Sequence, residues 1–179
     1  GPGGPGGVGR DGTRFILACE SVDTVAEVFV NDILVARTSN MFVPLRTDVG
    51  EVLVAGENTI EVRFDSPERA AAARAETLPY PVPHQVYPFQ SMHRNLLRKV
   101  QCQSSWDWGI ALMVSGMYGT LGVYEAGEEA LVAVYGVPRR DEDGAWRLPV
   151  HLEWDRSDAP VGSCGLPAQP PESAVRVEV

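Results

Sequence analysis

The chain has 179 residues, 44% hydrophobic and 22% charged, with a formal net charge of −9 and a pI near 4.8. That length suits one full domain, or one domain plus part of a second, and the composition is that of a packed chain rather than a disordered one. The acidic balance argues against nucleic acid and against anionic membrane surfaces, both of which select basic patches, and no apolar run is long enough to span a bilayer.

Residues 1–13 read as a flexible, low-complexity Gly/Pro tail, with neither an initiator Met nor the apolar core of a leader, as at the edge of a truncated or mispredicted reading frame. From Arg14 the pattern turns to period two, the mark of half-buried strands. Strands are predicted at Phe15–Cys19, Val25–Val30 and Ile33–Ala36, the last two joined in a hairpin by a turn at Asn31-Asp32, and at Met41–Leu45. Thr59–Phe64 alternates cleanly, with Ile60, Val62 and Phe64 on one face and Thr59, Glu61 and Arg63 on the other, so its register is well determined.

One helix is predicted, over Pro67–Glu76, with Ser66 as its cap, Pro67 in its first turn and an alanine-rich body. Leu78–Pro88 then carries four prolines among aromatics, which excludes helix and central strand. Leu96–Gln103 reads as extended, and Thr120–Tyr124 as a strand. Composition shifts at Glu125–Glu128, which sets a domain boundary. Beyond it, Leu131–Val137, Arg147–Trp154 and Val175–Val179 read as strands of a second, incomplete sandwich, with Leu148, Val150, Leu152 and Trp154 on its apolar face. The fold class is all-β: a sandwich of antiparallel sheets with one short helix.

The residues able to carry chemistry concentrate between Arg98 and Gly109. Two of the four tryptophans, Trp106 and Trp108, flank Asp107, and Arg98 and Lys99 lie just upstream. A carboxylate between two indoles loses hydration and needs a donor, either a cation such as Arg98 or the hydroxyl of a ligand. The stretch is therefore either a sugar contact, with an aromatic face stacking on a pyranose, or a structural ion pair in a Trp-rich core. Composition alone weighs toward the core, where most tryptophan is found. Arg94, Arg98 and Lys99 could clamp an anion or form a solvated strand face. In a strand, adjacent Arg98 and Lys99 point to opposite faces, so at most one serves the Asp107 side.

His84, His93 and His151 lack metal-ligand spacing, and no metal or other cofactor is expected. Cys19, Cys102 and Cys164 are too few and too scattered for a disulfide framework and read as small buried hydrophobes. Nucleophile-elbow and phosphate-loop motifs are absent. Glu57, Glu61, Glu128, Glu129, Asp141, Glu142 and Asp143 fall in turns or on outward faces, so no carboxylate pair faces one cleft and no catalytic machinery is visible in the chain.

Three segments, Val22–Asn31, Ser39–Leu45 and Gly56–Pro67, resemble the N-terminal sugar-binding-like domain of glycoside hydrolase family 2. Tyr80-Pro81-Val82-Pro83, Asn95–Cys102 and Ser105-Trp106-Asp107-Trp108-Gly109 narrow the resemblance to its β-mannosidase branch, over about Phe15 to Glu125. The resemblance implies a jelly-roll (galactose-binding-like) domain over 14–126, incomplete at its N-terminus, and a partial immunoglobulin-like sandwich over 127–179. It also implies a (β/α)₈ barrel outside this chain, holding the two glutamates of a retaining mechanism.

On this resemblance Trp106 and Asp107 become sugar contacts, with Arg98 supporting Asp107, while Trp108 packs beneath the loop and the proline-rich excursion shapes the same rim. The expected partners are a β-mannoside substrate and the missing barrel. The expected function is the N-terminal portion of an exo-acting β-mannosidase, inactive alone, either a fragment of a longer enzyme or an incomplete gene model. A stand-alone lectin-like module and a purely structural interaction domain are the alternatives. A eukaryotic relative would be lysosomal and a bacterial one cytoplasmic or periplasmic, and no visible leader chooses between them.

Overall fold

In a computed structural model that describes residues 13–83, 92–104 and 112–156, the strand expected at Phe15–Cys19 is longer and becomes β1, Arg14–Asp23. It is the central strand of an antiparallel sheet, between β4 (Leu45–Asp48) and β6 (Gly116–Ala126). A second antiparallel sheet places β2 (Ala26–Val30) between β3 (Ile33–Thr38) and β5 (Ile60–Phe64). Leu17, Cys19 and Val22 of β1 join Ala26, Val28 and Val30 of β2 in one buried core that Leu45 and Val49 complete. Because side chains alternate along a strand, each central strand gives one row to this shared interior, and the all-β sandwich follows.

The β2–β3 hairpin turns at Asn31-Asp32, as the sequence predicts. Both residues have positive φ, 48° and 65°, the conformation of a type I′ turn, whose twist matches that of the flanking strands. Asn31 also ties the turn to the loop before β5. Its Nδ2 donates to Val52 O and Asn58 Oδ1, both at 2.8 Å, and its Oδ1 accepts from Thr59 N at 3.0 Å.

On β5 the predicted faces hold: Ile60, Val62 and Phe64 pack on the core, while Glu61 and Arg63 face water. The Arg63 guanidinium donates to both Glu61 oxygens, at 2.7 and 2.9 Å, and lies 4.2 Å from the centre of the Phe29 ring. The hydrogen bond from Arg63 holds the Glu61 carboxyl below the usual glutamate range. A group lowered in the folded state stabilises above its unfolded pKa, and that contribution fades as pH falls through the lowered value. Carboxyl-carbon NMR titration should give Glu61 a midpoint below a free glutamate's, and Arg63→Ala should return it to normal. The exposure of both side chains to water keeps the effect on stability small.

α1 spans Pro67–Thr77, one residue past the predicted end, with the Ser66 side chain accepting from Arg69 N at 3.4 Å. Among its residues only Ala71 is buried, and Arg74 Nη1 donates to Leu96 O at 2.8 Å, so the helix braces the segment that follows the prolines.

Two predicted elements are not formed as expected, and a third, the strand expected at Arg147–Trp154, is split between Trp146–Arg147 and Val150–Arg156. The strand expected at Met41–Leu45 begins only at Leu45. Ahead of it, Pro44 has no N–H for a ladder, and the Asn40 side chain accepts from Phe42 N at 3.0 Å, forming a turn. The extended run expected at Leu96–Gln103 is cut short: two 3₁₀ turns, Arg94–Leu96 and Gln101–Ser104, flank it, and between them Leu97 is extended and Arg98 forms a single β-bridge. Cys102 sits exposed on the second rather than buried, whereas Cys19 is buried as expected; Cys164 lies outside the described residues.

β6 is longer than predicted and runs into β7 (Glu129–Gly136), which pairs antiparallel with β10 (Val150–Arg156); a small ladder joins β8 (Arg139–Arg140) to β9 (Trp146–Arg147). A bulge interrupts the β1–β6 ladder between Cys19 and Ser21. Near it Gly119 has φ +76°, and an added Cβ there would collide with the Glu20 side chain, so glycine is required. Arg14 links the first sheet to the β7–β10 pair, donating to Gly127 O at 2.9 Å and Asp155 O at 3.1 Å. Leu148 and Trp154, on the predicted apolar face, stay exposed, and the strand expected at Val175–Val179 lies outside the described residues.

Candidate functional site

The backbone on either side of residues 105–111 is held by a small set of long-range contacts. Leu97 is buried, and beyond it Arg98 forms a single parallel bridge with Asn40, its carbonyl accepting from Met41 N at 2.9 Å. Val100 N lies 3.1 Å from Met41 Sδ, and the Ser21 hydroxyl donates to Met41 O at 2.7 Å. Met41 is thus pinned between β1 and the 98–100 backbone.

Arg98 and Lys99 diverge, as neighbours on an extended backbone must. Arg98 is exposed, with its guanidinium carbon 5.9 Å from the Phe42 ring centre, within cation–π range. Lys99 turns inward. Its ammonium donates to Asp23 Oδ2 at 3.0 Å and to Val114 O at 2.8 Å, and both side chains of the ion pair are fully buried. The Thr24 hydroxyl donates to Asp23 Oδ1, and Thr24 O accepts from the Thr38 hydroxyl at 2.9 Å. The buried carboxylate therefore has donors on both oxygens, which a charge in the interior requires. Lys99 is not a solvated strand face, and the three cations Arg94, Arg98 and Lys99 do not share one anion clamp.

Trp106, Asp107 and Trp108 lie outside the described residues. Of the predicted site residues, the described part holds Arg98, on the exposed side of the stretch that leads to them. Next to that gap, Gln103 Nε2 donates to the Tyr118 hydroxyl at 2.9 Å. Gln103 Oε1 and Ser104 Oγ are buried polar atoms without a hydrogen-bond partner among the described residues. Polar atoms in that state lose free energy unless something else reaches them, which makes this a natural place to look for a ligand or water contact. Sequence reasoning misses Asp23, Gln103 and Ser104. The one signal for Asp23 is an acid directly after the apolar Val22 at the end of a strand.

Of the seven acids expected in turns or on outward faces, Asp141 alone is half-buried, in an ion pair with Arg147, and the other six are exposed. Asp23, held by Lys99 and Thr24, is not free to act as a base. His151 stacks on Tyr135 with ring centres 5.1 Å apart, and His84 lies outside the described residues. Among the described residues no three His, Cys, Asp or Glu side chains gather as metal ligands.

The family model described as glycosyl hydrolase 2 galactose-binding domain-like matches residues 8–119. The chain is 31% identical over 152 residues to a beta-mannosidase of Rattus norvegicus, covering 82% of this chain and 17% of that protein. It is 36% identical over 110 residues to beta-mannosidase B of Aspergillus niger, covering 60% of this chain and 13% of that protein. The crystal structure of a beta-D-mannosidase from Dictyoglomus thermophilum superposes with a TM-score of 0.70 at 28% identity, covering 84% of this chain and 18% of that one. The chain thus spans less than a fifth of the length of each of these proteins.

Proposed function

This chain belongs to the glycosyl hydrolase 2 galactose-binding domain-like family, and on that footing we propose that it is the N-terminal portion of an exo-acting β-mannosidase. That enzyme removes terminal, non-reducing β-D-mannose residues from β-mannosides. The observation that carries the reading is the match over 82% of this chain to a beta-mannosidase of which it makes up 17%, which leaves the greater part of the relative, with room for a catalytic barrel, unmatched. Trp106 offers an aromatic face to the sugar ring, Asp107 accepts from its hydroxyls, and Arg98 supports the Asp107 charge. The domains run over 14–126 as a jelly roll and from 127 as the start of an immunoglobulin-like sandwich. Two glutamates on the barrel supply nucleophile and acid/base in a retaining mechanism. The acids among the described residues, being solvated or already paired, leave that chemistry to the barrel.

Two assays test this. The isolated 179-residue chain should not hydrolyse an aryl β-mannoside; turnover with saturation kinetics would sink the idea that catalysis lies elsewhere. Exchanged for the matching region of the Dictyoglomus enzyme, the chain should support hydrolysis. In that chimera Asp107→Ala should lower kcat/KM by about 10–100-fold, the usual cost of losing a hydrogen bond to a charged group. An unchanged kcat/KM counts against the site. Mannose binding by the isolated chain in calorimetry, lost on Trp106→Ala, combined with an inactive chimera, would favour a lectin-like module instead.

A further inference from the structure

A sheet edge carries a row of unpaired N–H and C=O groups, and soluble proteins guard it with short strands, charge or proline. Three of the four edges of the two three-stranded sheets are guarded in that way. β4 is four residues long, follows Pro44 and carries Arg46 and Asp48; β3 carries Arg37; β5 carries Glu61 and Arg63. β6 is the exception. It runs for 11 residues, and from Gly116 to Tyr124 it holds neither a charge nor a proline. One side of it pairs with β1, and among the described residues no strand pairs with the other. Its side chains are no better covered: Met117, Tyr118, Leu121, Val123 and Tyr124 are each between 36% and 42% exposed. Val123 and Leu121 lie opposite Leu17 and Cys19 in the ladder, and opposed residues project from the same face of a sheet. Leu17 and Cys19 belong to the buried core, so the core face continues onto β6 and is left open there. The bulge at Gly119-Thr120 is taken up on the β1 side, where Thr120 N donates to Glu20 Oε1 at 3.3 Å.

We infer that β6 is a docking edge for a second copy of this chain, paired antiparallel with its own β6 across a two-fold axis at Leu121. The strand is centred on Leu121, so this register lets its whole length pair, with the same surface used on both copies. Tyr118 of each copy then falls opposite Tyr124 of the other, an aromatic cross-strand pair made twice, and Val123 falls opposite Gly119. The one charge on the strand, Glu125, meets the apolar Met117. The two Glu125 carboxylates stand about 27 Å apart, eight residues at about 3.4 Å each, well beyond a Debye length of about 8 Å. An uncharged edge fits a strand that is itself uncharged, and a second β6 brings no like charges together. The paired edges also set Leu121 and Val123 of one copy beside those of the other, which covers the open end of the core face. The pairing does not depend on what the chain binds.

The test is sedimentation equilibrium of the full 179-residue chain over a concentration series, at an ionic strength that screens the net charge of −9 on each copy. The mass should rise from 19.4 kDa toward twice that value and no further. Leu121→Lys and Leu121→Glu each set like charges face to face on the axis, and each variant should be monomeric. Mixed in equal amounts the two should pair again, because opposite charges then meet. Circular dichroism checks that both variants fold, and the unaltered chain gives a readout that needs neither. Amide hydrogen exchange within Leu121–Tyr124 should slow as concentration rises, while exchange in the guarded β4 edge, Leu45–Asp48, should not change. A chain monomeric at every concentration would overturn the proposal and leave the edge to a strand of another protein. A dimer that both Leu121 variants leave intact, growth past the dimer, or β6 exchange indifferent to concentration would overturn it as well.

Discussion

Leu17→Ala should cost about 3–5 kcal/mol of folding stability, read as a drop in the midpoint of urea denaturation at unchanged m-value. Leu17 is completely buried on the central strand of the first sheet, within the core cluster that Val28 and Val30 of the second sheet share. Truncation there removes the transfer energy of the lost carbons and leaves a cavity that two flanking hydrogen-bonded strands cannot collapse to fill. Net stabilities of single domains are about 5–15 kcal/mol, so the variant should be partly unfolded at room temperature or close to it. Leu34→Ala is the internal control. Leu34 is also a strand leucine, but it is 37% exposed, and its truncation should cost less than about 1 kcal/mol. Equal losses at the two positions would mean that the two sheets do not close on one core.

That core is legible in the amino-acid sequence because its signals are local. The alternation in β5, the Asn-Asp turn of the β2–β3 hairpin and the Ser66-Pro67 start of α1 each depend on residues within a few positions of one another. The two elements not formed as expected share the opposite cause. Met41–Leu45 and Leu96–Gln103 both carry apolar residues at intervals that pass for strand. Their backbone groups, however, are satisfied across the fold: Met41 N by Arg98 O, Met41 O by the Ser21 hydroxyl, Val100 N by Met41 Sδ. A stretch whose hydrogen bonds go to distant partners has no need to form a ladder with its neighbours. Cys102 departs from expectation for the same reason, since period two assigns it to a face that a 3₁₀ turn does not have.

The candidate site divides in the same way. Tryptophan, aspartate and arginine in close succession announce the stretch around Asp107, and the opposed directions of Arg98 and Lys99 follow from simple strand geometry. Which of the two turns inward does not follow. The partner of Lys99 is 76 positions away, and nothing in the residues around either one marks the pair. The pairing expected between Arg98 and Asp107 falls on an acid outside the described residues. Asp23 is the acid that the described residues show buried against a cation. Arg98 is exposed, with its guanidinium near the Phe42 ring.

Lys99→Met alone should destabilise the chain by about 3–5 kcal/mol, the usual consequence of leaving a buried charge without its partner. The Asp23 carboxylate would keep the Thr24 hydroxyl on one oxygen and lose the Lys99 ammonium from the other, inside a site with no exposed surface. Removing the charge as well should give much of this back. Asp23→Asn/Lys99→Met is expected about 1–3 kcal/mol below the unaltered chain, the cost of polar groups left without a partner rather than of a bare charge. Urea midpoints of the unaltered chain, both single variants and the double variant form a double-mutant cycle that isolates the pair. A coupling energy near zero would show that Asp23 and Lys99 do not depend on one another, whereas a large one would identify the interaction as one between charges buried together.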